Sequence, residues 1–549
     1  MINRIFIENY RSIEQIEIRP ENLCALIGPN SSGKTNILKA ISILLGDTYP
    51  TERAFKKDDF FDRDISRTIT IKIDFDEALD PVYLSKKGGG KENCECVSMQ
   101  LTHSRVEGSS TWFMCTDRTG DEFYGNGKVR EQVSFIYIPS ERHLEKQLSI
   151  SNWTLLGKIL KKVDENFKAS DERIEAFEEA MKPPKEILEK DFDGGISFAN
   201  FKEVLIGHVN KNTKGHSNSC DLELEIYDPL WYYKMLQIIT QEEGKRFNVE
   251  EIGSGTQNLI LLSIFQAFAH LMKGNSILAI EEPELYLFPF AQRRLYNEFK
   301  ELAEHSQIFY TTHSPNFVNI SSCDQTCIIR KIEGRTEKLA NNSLGDFISQ
   351  DDKIELHLIS KFNTDVNEIF FADKIIIVEG ATEKNTIPFF LQLYLGGEYY
   401  SCNHYIINAN GKDLIPFFIK VCEFLGLDDY FVIYDSDLDP GKSPNAIASA
   451  QTSTEQITAL LPDSDHKLIE LDYDFESVCQ YPRSGGNSKK IKDALDWANN
   501  ISLEQIPPVF EKLKDFIQSD SEEQIELEVV QSETTTPSIE PFEDDDLPF

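Results

Sequence analysis

Five acids stand where a fold could gather them around a divalent cation. Glu379 and Glu383 lie in KIIIVEGATEK (374–384), Asp435 and Asp437 in FVIYDSD (431–437), and Glu476 in LDYDFESV (471–478). Carboxylate oxygens are hard donors that suit Mg2+ or Mn2+ better than Zn2+. Two such ions ~4 Å apart can activate water and stabilise the leaving oxygen in in-line phosphodiester cleavage. Asp439, Asp472 and Asp474 read as solvated or outer partners. The chemistry also wants a cation opposite the metals. Lys489 or Lys490, in GGNSKKIKDA, could supply it, although a lysine pair at a helix start is commonly just solvated.

A second set of residues points to a nucleotide. Gly28-Pro29-Asn30-Ser31-Ser32-Gly33-Lys34-Thr35 follows the apolar run LCALI and precedes TNILKAISILL. That strand–loop–helix context is what a phosphate-binding loop requires. Backbone N–H groups, including those of Asn30, Ser32 and Gly33, would curl around the phosphates at a helix amino end. Lys34 would reach the outer phosphates, and the Thr35 hydroxyl would ligate magnesium. Further elements follow in the order of an ABC-type ATPase. Ser254 and Gly255 open a helix and resemble a signature loop that closes over the opposite subunit's nucleotide, which implies a homodimer or higher oligomer. SILAIEE (276–282) ends in Glu281, for the magnesium shell, and Glu282, to orient or deprotonate water. His313, in TTHSP, could sense the γ-phosphate. Asn9, Tyr10, Arg11, Ser12 and Arg142 are either further nucleotide contacts or surface residues.

The patterning around these residues divides the chain. Residues 1–149 alternate strand and helix signals as the first part of an ABC ATPase, and 246–340 resume it. Residues 150–245 are helical and highly charged, either a solvated helix pair or a dimerisation arm, with KILKKVDENFKASDERIEAFEEAMK as the clearest stretch. A helical connector is expected over 341–372. A second α/β unit with the five acids spans 373–518. Residues 519–549 are rich in Ser, Thr and Glu and are expected to be disordered. The fold class is therefore multidomain α/β.

Composition bounds the function. No run of 18 apolar residues occurs and the amino terminus opens on a strand, so no membrane span or signal peptide is expected and the location reads as cytoplasmic. The ten cysteines form no CxxC pair, which favours reduced, unliganded thiols. The net charge of −36 weighs against DNA, because phosphate binding is driven by Lys and Arg. Residues 520–549 carry eleven acids and no base, however, leaving about −25 on the remainder. Acids at a metal site would be offset further by bound cations.

Together, GPNSSGKT, SGTQ, IEEPEL, TTHSP, the VEG-x3-K run and DSD resemble the OLD (overcoming lysogenisation defect) family, an ABC ATPase joined to a Toprim domain. The likeness covers about residues 1–500, and the Gabija nuclease subunit and retron-associated OLD effectors are similar in design. It implies an ATP-regulated, metal-dependent DNA endonuclease of anti-phage defence, with ATP and Mg2+ or Mn2+ as cofactors. A helicase-like protein or a reverse transcriptase with its DNA would be the accessory partner. By position it makes Glu379, Glu383, Asp435, Asp437 and Glu476 metal ligands, Lys489 the basic catalytic residue, and Lys34, Thr35, Glu281, Glu282 and His313 ATPase residues. The alternative is a non-cleaving repair or chromosome-organising ATPase with a scaffold Toprim domain.

Departures from the pattern exist. Thr256 replaces a glycine of the signature loop, and Tyr286-Leu287-Phe288-Pro289 stands where the family carries histidine, so ATP hydrolysis is expected to be slow or to act as a switch. The lysine motif lacks its following proline, which leaves Lys489 against Lys490 open. The ending Asp544-Asp545-Asp546-Leu547-Pro548-Phe549 resembles the tip of single-stranded-DNA-binding proteins and is expected to dock to proteins that read such tips, or to this chain's own basic groove.

Overall fold

The computed structural model describes residues 1–46, 49–106, 108–141, 154–190, 197–212, 228–233, 238–242, 244–248, 251–271, 276–339, 364–400, 402–438, 441, 443–461, 466–482 and 489–519. Arg142, Asp439, residues 341–363 of the expected connector and the acidic tail from 520 lie outside the described residues. Two compact units are formed, one by Met1–Ile7 with Ile37–Thr311, the other by Glu8–Asn36 with the chain from Thr312 onward.

In the first unit, Ile69–Phe75 pairs antiparallel with Cys96–Ser104, which in turn pairs with Ser110–Asp117. Ile69, Ile71, Ile73 and Phe75 are buried while the residues between them are only partly so, the period-two pattern of a sheet with one face on a core. A second set of strands is parallel: Ser134–Ile138, Ser276–Glu281 and Gln307–Thr311. Every residue of the last two is buried, as expected of parallel strands covered on both faces. The middle strand delivers the acid pair Glu281 and Glu282 to its tip.

The helical stretch expected over 158–182 forms two helices. Leu155–Lys168 and Asp171–Glu189 are separate helices, and Ser170 between them is extended. A serine followed by Asp171 and Glu172 is a helix-start signal, since acids are favoured at the positive amino end. Phe167 and Phe177 meet edge to face across the break, 6.1 Å between centroids. No described side chain of Asp171–Glu189 is buried.

In the second unit, Leu23–Ile27 is fully buried and pairs parallel with Thr326–Ile332, which forms a hairpin with Arg335–Lys338. A separate four-stranded parallel sheet follows, in the order His404–Asn408, Lys374–Val378, Tyr430–Asp435, Leu468–Leu471. The first strand in the chain thus lies beside the second on one side and the third on the other. At such a reversal of strand order the loops leaving the carboxyl ends diverge and open a crevice. The two strands flanking it are those that end in Glu379 and Asp435.

The helix Ala381–Leu395 covers this sheet through Ile387, Phe390 and Leu391, packed against Ile376, Val378, Phe431 and Ile433. Phe390 also meets Phe475 and Phe510, with centroids 6.4 and 5.0 Å away. Each such buried ring contributes about 1.5–3 kcal/mol. The same packing holds the elements that carry Glu383 and Glu476.

Candidate active site

Glu379 leaves its buried strand at the carboxyl end. Its N–H donates to the Ile433 carbonyl at 3.2 Å, and its Oε2 accepts the Asp435 N–H at 3.1 Å. The side chain therefore ties the two central strand ends together. Gly380 caps the next helix. A Cβ at this glycine would stand 2.9 Å from Glu383 Oε2, so the missing side chain lets Glu383 fold back over the helix start, where negative charge is favoured. Glu383 is only 3% exposed.

Asp435 ends Tyr430–Asp435 and is buried. The turn beyond it is anchored to the neighbouring strand's loop: Ser436 N–H donates to the Leu471 carbonyl at 2.9 Å and Asp437 N–H to the Tyr473 carbonyl at 3.1 Å. Asp437 adopts φ +60°, a left-handed conformation that Asp tolerates better than most residues. Glu476 lies in the short helix Phe475–Cys479 and is buried. Its Oε1 accepts from the Tyr481 hydroxyl at 3.0 Å and pairs with the Lys490 ammonium at 2.7 Å.

Crowding buried carboxylates raises their proton affinity. Burial lifts Glu379 to about 7, helped by the charges of Asp437 and Glu383. Burial lifts Asp435 to about 8; Glu383 and Glu379 push the same way and Lys490 opposes them. Burial also raises Glu383. Asp435 Oδ1 and Glu476 Oε2 are buried with no hydrogen-bond partner. Orphaned anionic oxygens at a crevice of hard donors fit a divalent cation. Among the described residues, no three acid, His or Cys side chains are drawn tightly enough around one point to form a finished cage. The donor set and the orphaned oxygens carry the fit.

The sequence left two lysines open, and they occupy different places. Lys490, the first residue of the helix Lys490–Ala498, pairs with Glu476, whereas Lys489 before it is exposed. Asp472 is exposed, and Asp474 caps Phe475–Cys479 through the Ser477 N–H at 2.8 Å.

A third lysine went unnoticed in the sequence. Lys412, 6% exposed, donates to the carbonyls of Asp435 at 2.8 Å and Ser436 at 3.2 Å. Its Nζ lies 4.7 Å from the centroid of the Tyr434 ring. Gly411 N–H donates to the Glu379 carbonyl at 2.9 Å. The available signal was a lone GK just past the apolar strand HYIIN, the kind of strand end where function collects.

The phosphate loop is built differently. Gly28 has φ +147° and a Cβ there would stand 1.9 Å from the Ile329 carbonyl oxygen; Gly33 has φ +107° and its Cβ would meet Thr336 Oγ1 at 2.1 Å. Only glycine fits either position. Lys34 Nζ donates to the Gly28 and Pro29 carbonyls at 2.9 and 2.8 Å. Ser32 is buried, Thr35 half-buried and Asn30 exposed. Thr336 donates to the Ser32 carbonyl at 2.9 Å and lies 2.7 Å from the Ser12 hydroxyl. Arg11 reaches Asn36 Oδ1 at 3.3 Å. His313 is exposed.

In the first unit, the Glu281 carboxylate accepts from the Tyr137 hydroxyl at 2.6 Å and the Ser140 N–H at 3.1 Å. Glu282 has φ +44°, and its N–H donates to the Thr311 carbonyl at 2.9 Å. Ser254 and Gly255 begin the helix Ser254–Leu271, and a Cβ at Gly255 would stand 2.8 Å from the Tyr286 carbonyl oxygen.

Similarities to known proteins run along both regions. The family described as AAA ATPase domain matches residues 1–115 and 106–318. The family described as overcoming lysogenization defect protein-like, TOPRIM domain, matches residues 370–437. The OLD nuclease of Thermus scotoductus is 28% identical over 465 residues, 80% of this chain and 83% of that protein. Endonuclease GajA of Bacillus cereus is 23% identical over 437 residues, 74% of this chain and 72% of its own. The Old nuclease of Escherichia phage P2 is 22% identical over 456 residues, 77% and 75% of the two chains.

Proposed function

The chain belongs to the OLD family, an AAA ATPase joined to an OLD-like TOPRIM domain, and from that premise we propose that it is a DNA endonuclease whose cleavage depends on divalent metal and is regulated by ATP. The observation that carries this reading is the meeting of Glu379 and Asp435 at the strand-order reversal, with Glu383, Asp437, Glu476 and Lys490 arranged around them. These five acids would hold Mg2+ or Mn2+. Bound there, the metal would lower the pKa of water and steady the leaving oxygen. Lys490, placed beside the acids, is the better candidate for the basic group facing the scissile phosphate; Lys489 is exposed.

The phosphate loop binds the nucleotide: Asn30, Ser32 and Gly33 offer backbone N–H groups, Lys34 neutralises phosphate charge, and Thr35 serves its magnesium. Glu282 positions water, and His313 meets the terminal phosphate. The helix start at Ser254, which is exposed, and Gly255 supports assembly into at least a homodimer, one copy closing over its partner's nucleotide. The Thr336 hairpin supports ATP control. Thr336 holds the phosphate loop, and on the facing strand Arg330, next to Thr336's partner Lys331, pairs with Asp373 at 3.2 Å, just before the strand that delivers Glu379. The family likeness extends the proposal to anti-phage defence in the cytoplasm. No described helix is long and apolar enough to cross a membrane.

The direct test incubates purified protein with supercoiled plasmid, Mg2+ or Mn2+ and graded ATP. Nicked or linear product that disappears in Glu379→Ala is expected; product surviving that substitution sinks the site assignment. Plaque counts on cells expressing the wild type and Glu379→Ala test the defence role.

A further inference from the structure

We infer that Lys412 is a positioning residue of the metal centre, holding the Asp435-Ser436-Asp437 turn in its ligating geometry by donating to the backbone carbonyls of Asp435 and Ser436. The inference rests on the nuclease reading above. A buried ammonium is costly unless its donors are satisfied. Lys412 satisfies two of its three on successive carbonyls of the same turn, at 2.8 and 3.2 Å. This is an unusual choice for a lysine among acids, since it grips the backbone of the turn and forms no ion pair among the described residues.

The lysine's own loop is fastened to the opposite side of the crevice. Gly411, at φ +136°, donates its N–H to the Glu379 carbonyl at 2.9 Å. Two adjacent residues thus clamp both central strand ends, one by a main-chain donor and the other by a side chain. The Tyr434 ring packs against the ammonium and restricts where it can swing. Outer partners that orient metal ligands typically change metal affinity by 10–100-fold when removed.

The test measures Mn2+ binding to the full chain without nucleotide, by electron paramagnetic resonance of free Mn2+, beside plasmid cleavage. Lys412→Met keeps the length of the side chain without its donors, and Lys412→Gln keeps a donor without the charge. We expect Lys412→Met to bind Mn2+ about tenfold or more weakly, with kcat reduced, KM for DNA little changed and rate recovered by excess Mn2+. Lys412→Gln should lose less. Thermal unfolding and retained ATP binding report whether each variant folds. Folded variants with wild-type Mn2+ affinity overturn the inference. So does failure of both variants to fold, which would assign Lys412 to stability alone. Glu379→Ala is the parallel control. If it too keeps wild-type Mn2+ affinity, the nuclease site reading fails; if it loses affinity while Lys412→Met does not, only the present inference does.

Discussion

The phosphate loop and the acid crevice are both proposed to serve phosphate chemistry, yet they are built in opposite ways. The loop is one continuous segment, Gly28–Thr35, whose cation is already satisfied: Lys34 donates to the carbonyls of Gly28 and Pro29. The crevice is assembled from five elements spread between residues 379 and 490. It leaves Asp435 Oδ1 and Glu476 Oε2 buried without partners and raises the carboxyls of Glu379 and Asp435 toward neutrality. A site that must accept and release a nucleotide gains from a satisfied empty form. A site proposed to hold cations can instead store unbalanced anionic charge, which only metal or protons relieve.

The strongest challenge to that contrast is Asp435→Asn. Cleavage should fall by on the order of 10³-fold or more, while the metal-free protein should melt a few degrees higher, because a buried carboxyl that is costly to ionise has been replaced by a neutral amide. Lower activity without higher metal-free stability would break the claim of stored charge. Next in size is the lysine pair. Lys490→Ala should cut cleavage by about 10²-fold and also destabilise the fold, since the Glu476 carboxylate is left buried and unpaired. Lys489→Ala should change rate by less than about threefold, because its side chain is exposed. Equal effects would reopen the choice between them.

On the other side of the comparison, Lys34→Ala should weaken ATP binding by roughly 10–100-fold, the loss of charge-assisted bonds to phosphate. Mn2+ binding at the crevice should persist, and cleavage should lose its response to ATP. Isothermal titration with each ligand separates the two. The smallest effect expected is on pH dependence. Glu379 and Asp435 have folded-state values raised to about 7 and about 8, above those of the unfolded chain. The folded protein therefore holds protons that the unfolded chain releases, and this stabilisation is full below the unfolded carboxyl range and lost as pH rises through 7 to 8. Metal-free protein should melt progressively lower from pH 5 to pH 9, and saturating Mn2+ should flatten the curve.

Much of this was legible in the residues. KIIIV and FVIYD are apolar runs of strand length bounded by Gly380 and by Ser436-Asp437, and they form the central strands Lys374–Val378 and Tyr430–Asp435. The phosphate loop was legible because its glycines, lysine and flanking strand are contiguous. The helical, charged character of 158–182 was legible, while the place where its two helices divide, at Ser170, was not specified. Lys412 was missed because a lone lysine in a polar loop looks solvated until the strand beside it is known.

What the sequence determined alone is what short segments encode: the phosphate-loop turn, the strands and the acids at their tips. Their periodicity, glycine placement and local hydrogen bonding do not depend on distant partners. Tertiary structure decided the strand order that brings Glu379 against Asp435, the nearness of Lys490 and not Lys489 to Glu476, and the burial of Lys412 behind the Asp435–Asp437 turn. Those outcomes depend on which residues tens of positions apart exclude water from one another, and a linear pattern of residue types does not contain that information.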